Sequence, residues 1–72
     1  MVNLEALLTW AHENNVRVTL KFIPDHRGSP FVVEAQVPFI DSNREHPYDF
    51  VRRKGKTVED VCARFLDYVN TH

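Results

Sequence analysis

The chain predicts an α+β domain of order α-β-β-β-α, and three observations predict it. Residues 16–39 alternate apolar and polar side chains in two runs around a cluster of turn-forming residues, the pattern of an antiparallel hairpin with one buried face. Apolar residues at helical spacing precede this hairpin, and a second helical stripe closes the chain. One apolar sheet face needs cover. Two amphipathic helices supply it, so both are expected on the same side of a three-stranded antiparallel sheet.

Seventy-two residues make a single domain, 1–72, near the lower limit at which one core holds a fold without staples or self-association. With 43% apolar and 26% charged residues the composition is that of an ordinary globular chain, not a disordered or fibrous one. The single cysteine, Cys62, has no internal disulfide partner, which points to a reducing, cytoplasmic setting. No run approaches the roughly twenty apolar residues of a membrane span, and the first residues lack a basic-then-apolar leader, so neither membrane nor secretion is expected. A net charge of -1 is too small to hold nucleic acid by bulk electrostatics and too mild for a carboxylate mimic of it.

In order along the chain, the first helix is expected over 3–15, with Leu4, Leu7, Leu8 and Ala11 on its buried face. Asn3 reads as its cap and Asn14-Asn15 as a stop tolerant of left-handed backbone. Trp10 stands about a hundred degrees off that face. The first strand is expected over 16–24, with Val16, Val18, Leu20 and Phe22 inward; Pro24 ends it, and 25–30 carry turn chemistry. The second strand, over 31–39, turns Phe31, Val33, Ala35, Val37 and Phe39 inward. A loop confined to 25–30 sets Phe22 opposite Val33, Leu20 opposite Ala35 and Val18 opposite Val37, with Lys21 meeting Glu34 and Thr19 meeting Gln36. Residues 40–47 read as a surface loop. A third strand is expected over 48–53, Tyr48 and Phe50 on one face and Asp49, Val51 and Arg53 on the other. The outer sheet face then displays Arg17, Thr19, Lys21, Ile23, Val32, Glu34, Gln36, Val51 and Arg53. Thr57 opens the last helix in a capping-box pattern with Asp60, and Val58, Val61, Cys62, Phe65, Tyr68 and Val69 form its apolar face.

Element order, length and the passage Gly55-Lys56-Thr57 into the last helix resemble a double-stranded RNA-binding domain. The resemblance implies the α-β-β-β-α fold and contacts to duplex RNA from the last helix start, the first inter-strand loop and the first helix. In this chain the helix start reads Val58-Glu59-Asp60-Val61-Cys62, with two acids where that family carries a lysine cluster, and the loop holds His26 and Arg27 near Gly28 and Pro30. On this reading the basic run Arg52-Arg53-Lys54-Gly55-Lys56, just before the helix, would take over some of the phosphate contacts.

Other chemistry is thin. Gly55-Lys56-Thr57 lacks the second glycine of a phosphate loop, since Phe50 occupies its place. His12, His26, His46 and His72 stand at no metal-ligand spacing, and Cys62 falls on an apolar helix face where a thiolate is disfavoured. His46 near Glu45 and Asp49 is the one arrangement open to acid-base work. No metal, cofactor or catalytic activity is therefore expected.

The sequence thus reads as a small non-enzymatic binding protein acting on a protein partner or on itself as a dimer. Trp10, Arg17, Lys21, Ile23, Val32 and Arg53 are its candidate contact residues. Compact solitary domains of this kind are similar to phage-type or accessory proteins that inhibit or redirect a larger machine. The alternative is an RNA- or DNA-binding module using His26, Arg27, Arg52, Arg53, Lys54 and Lys56.

Overall fold

The computed structural model describes residues 1–24, 27–38 and 48–71, except for the side chains of Pro38, Tyr48 and Asp49. Helix α1 (Val2–Asn14) is followed by strands β1 (Val18–Phe22), β2 (Phe31–Pro38) and β3 (Tyr48–Gly55) and by helix α2 (Val58–Thr71). The sheet is antiparallel with order β1-β2-β3, so the chain has the expected α+β architecture.

Local chemistry explains where the helices start and stop. Asn15 adopts the left-handed conformation (φ 54, ψ 46), and the amides of Asn15 and Val16 donate back to the carbonyls of His12 and Ala11. At α2 the Thr57 hydroxyl accepts from the Asp60 N–H at 3.0 Å, and the Asp60 carboxylate accepts from the Lys56 N–H at 3.0 Å. This is the anticipated capping box, displaced by one residue because the shorter aspartate reaches the amide preceding the cap. The start of α1 differs from expectation. The helix begins at Val2, and Asn3 makes no cap. Instead the Glu59 carboxylate of α2 accepts from the Asn3 N–H (2.9 and 3.2 Å) and the Leu4 N–H (3.1 Å). A long-range carboxylate thus satisfies two orphan amides at the positive end of α1.

Leu7, Val33, Ala35, Val51, Val61, Cys62 and Phe65 form the buried core, with Leu4, Trp10, Val18, Tyr68 and Val69 packed around it. α2 lies across β3 and β2, and α1 packs against α2. Gly55 permits this closeness: a Cβ there would stand 2.6 Å from the Val61 nitrogen.

Two expectations about the sheet are corrected. The hairpin register is Val18 opposite Ala35, Leu20 opposite Val33 and Phe22 opposite Phe31, two residues from the expected pairing. β1 ends at Phe22 and β2 begins at Phe31, so the connection spans 23–30, not 25–30, and β1 is shorter than 16–24; the Ile23 N–H donates to the Pro30 carbonyl at 2.7 Å just beyond the strand ends. A slip of two keeps every side chain on its expected face. The second correction inverts β3. Val51 pairs with Ala35 and is core, Arg53 pairs with Val33 on the helix side, and Phe50, opposite Gln36, is 59% exposed. Val51 and Arg53 therefore do not belong to the outer face.

Candidate functional site

The six candidate contact residues do not form one surface. Lys21 lies on the outer face, where its ammonium pairs with Glu34 at 2.8 Å; Arg52 pairs with the other Glu34 oxygen at 3.3 Å. The Lys21 hydrogen bond, helped by both cations, holds the Glu34 carboxyl below the usual carboxylate range. Val32 shares this face but is fully buried between its register neighbours Lys21 and Lys54, which removes it as a contact residue. Ile23 is half-buried beside Pro30. Arg17 is exposed between α1 and β1, at an open depression that Phe50 also lines. Trp10 is half-buried, its indole edge-to-face with Phe65 at 5.5 Å, so it closes the core edge between the helices. Arg53 points toward α2.

An apolar surface that the sequence reading committed to the core instead remains in water. Leu20 and Phe22 are 45% and 60% exposed on the helix side of β1. Their exposure follows from the placement of the helices over β2, β3 and each other. Phe22 has the Phe31 ring against it, with centroids 5.1 Å apart. Leu8 is 55% exposed and lies about 200° round α1 from Trp10. Because Trp10 faces α2, Leu8 faces away from it.

The backbone of β1 is open too. In an antiparallel ladder a residue's N–H and C=O point to the same side and alternate along the strand. The Ile23 to Pro30 bond shows that Thr19, Lys21 and Ile23 face β2. Val18, Leu20 and Phe22 therefore aim their amides and carbonyls away from the sheet, and no described residue pairs with that edge.

The opposite edge, β3, is defended. The same phase turns the Arg52 carbonyl outward, and the Arg53 guanidinium donates to it at 2.7 Å. That guanidinium also lies 4.2 Å above the Tyr68 ring. Arg52, Arg53, Lys54 and Arg64 line a shallow groove of about 530 Å³ between β3 and α2, with Asp67 as its acid. Arg64 is held by Asp60 at 3.2 Å, and the Asp60 carboxyl lies below its ordinary range because of the Lys56 N–H and then Arg64. Lys56 is exposed just past the groove, and Arg27 is exposed in the hairpin connection at the same end of the sheet, beyond the Phe22–Phe31–Gly55 row. His26 lies outside the described residues, as do Glu45 and His46, while the Asp49 side chain is not described.

Cys62 is fully buried, and burial, with the Glu59 carboxylate adding, pushes its thiol up, away from nucleophilic thiolate. Gly55 serves packing against Val61. No three His, Cys, Asp or Glu side chains converge among the described residues, and no described helix is long and apolar enough to cross a membrane.

Comparison with family models, characterised proteins and solved structures finds no match to this chain.

Proposed function

We propose that the chain is a non-enzymatic binding protein, of the adaptor or inhibitor type, whose protein partner docks along β1. One observation carries this reading: Leu20 and Phe22 stand 45% and 60% exposed on an edge strand whose outward backbone groups are unpaired among the described residues. An added strand satisfies those groups while the alternate side chains Val18, Leu20 and Phe22 supply apolar anchors, the logic of β-augmentation. The contact set thus moves from the outer face and Trp10 to the edge of the sheet. Affinity capture from the native host tests it. A stoichiometric protein recovered by the wild type and lost with a folded Phe22→Lys variant supports the reading; recovery unaffected by that change overturns it.

A second reading has its own observation. Arg53 and Arg64 face the β3–α2 groove from the helix side, Arg52 and Lys54 border it on the edge strand with their side chains on the outer face, and Lys56 and Arg27 extend the positive surface at the same end of the sheet. A phosphate backbone lying there would meet Arg52, Arg53, Lys54 and Lys56, the arrangement that the resemblance to duplex-RNA binders invites. It ranks second because Arg52, Arg53 and Arg64 already have partners in Glu34, the Arg52 carbonyl and Asp60. Duplex RNA affinity that falls steeply with salt would support it, and no binding at low salt would remove it.

A further inference from the structure

We infer that the occupant of the β1 edge is a second copy of this chain, paired antiparallel through β1 about a two-fold axis at Leu20 to make a continuous six-stranded sheet. The inference rests on the docking reading above and adds the identity of the partner.

Ladder phase is the first argument. Val18, Leu20 and Phe22 carry the outward N–H and C=O groups of β1. A two-fold axis at Leu20 sets Leu20 against its own copy and Val18 against Phe22 of the other, in both directions. All six outward donors and acceptors of each strand then find partners, whereas an axis elsewhere on this five-residue strand leaves some unmatched. A two-fold contact must be self-complementary, and this one is.

Side chains agree with the backbone. Paired residues in an antiparallel ladder share a face. On the helix side the pairs are Val18 with Phe22 and Leu20 with Leu20, all apolar, and on the outer side Thr19 meets Lys21. The two lysines lie diagonally, not opposite, and each is held by its own Glu34 at 2.8 Å. Lys21 is the one charge on the strand, and with that ammonium drawn toward β2 it no longer guards the edge against pairing.

Area sets the expected strength. Covering the exposed parts of Leu20 and Phe22 on both copies removes roughly 400 Å² of apolar surface, about a third of the 1,200 Å² at the lower bound for a stable interface. The strand backbone and flanking side chains would have to supply the remainder, so a weak, concentration-dependent dimer is expected.

Sedimentation equilibrium on the full chain tests the inference. The wild-type mass should rise from 8.4 kDa toward twice that as concentration increases from about 1 μM to 1 mM. Leu20→Lys should stay monomeric with its fold intact by circular dichroism. A Leu20→Cys variant should form an intermolecular disulfide on oxidation, since directly paired residues have Cα atoms about 5.5 Å apart, within disulfide range. Cys62 is fully buried and does not compete, and Phe50→Cys, at a more exposed position on the outer face, is the control that should cross-link poorly. A wild type monomeric throughout overturns the second copy. If a captured host protein still depends on Phe22 in that case, the docking reading stands alone. Dimerisation that Leu20→Lys leaves intact places the contact elsewhere and overturns the inference.

Discussion

β1 and β3 are the two edges of one small sheet, and they meet water in opposite ways. β3 is overlaid by α2, carries Arg52, Arg53 and Lys54 in succession, and has an outward carbonyl occupied by its own Arg53. Among the described residues β1 has no helix across it, exposes Leu20 and Phe22, and has no partner for its outward amides. Proteins ordinarily blunt edges with charge, cover or shortness. β3 uses the first two. β1 uses only the third, which blunts an edge without closing it. The difference teaches that the core of this chain is asymmetric: the helices are committed to each other and to β3, and Glu59 helps to fix that placement by bonding the start of α1 to α2.

The largest effect should come from breaking the covered edge. Gly55→Ala places a methyl 2.6 Å from the Val61 nitrogen and should cost roughly 3 kcal/mol, read from urea unfolding. An unchanged midpoint would mean that α2 steps away from β3 freely. Next, Glu59→Ala leaves the Asn3 and Leu4 amides without their acceptor and should cost about 1–2 kcal/mol. Amide exchange in the first turn of α1 should accelerate before that of α2. Arg53→Ala removes both the carbonyl cap and the Tyr68 contact, with an expected cost of about 1 kcal/mol. It should also make β3 more prone to self-association, which light scattering would detect.

A smaller effect appears in acid. The Glu34 and Asp60 pKa values are depressed in the folded state, so their stabilisation is complete above the unfolded carboxylate range near pH 4 and is lost as pH falls through their folded values. Glu34→Gln should flatten the lower end of the stability-pH curve, and an unchanged acid limb would show that the Lys21–Glu34–Arg52 bridge contributes nothing. The smallest effect on stability is expected from Phe22→Thr. An exposed ring on an uncovered strand should change the unfolding free energy by only about 0.5 kcal/mol, while weakening any β1 contact. A loss of several kcal/mol would place Phe22 in the core and erase the contrast between the edges.

Much of the fold was legible because it depends on local periodicity. Alternation over 16–39 identified a hairpin, Asn15 read correctly as a left-handed stop, and Thr57 with Asp60 read correctly as a helix start. The hairpin register was less legible. Alternation has a period of two, so it distinguishes the two faces but not slips of two residues, and the closing Ile23 to Pro30 bond decided the pairing. In the third strand Tyr48 and Phe50 suggested one buried face and Val51 the other. Pairing with Ala35 and the close approach of Gly55 to Val61 chose Val51. The basic run at 52–56 was visible in the sequence, but its division between the two sheet faces was not.

The sequence by itself determined the element order, the faces of the hairpin and the lone cysteine's place on an apolar helix stripe, because each follows from side chains within a few residues of one another. Only the tertiary structure decided that Glu59 caps the other helix, that β3 turns Val51 inward, and that β1 leaves Leu20 and Phe22 exposed. Those outcomes depend on where one whole element comes to rest against another. Here α2 rests across β3 and β2 and α1 packs against α2, and local pattern carries no information about which strand is left at the margin.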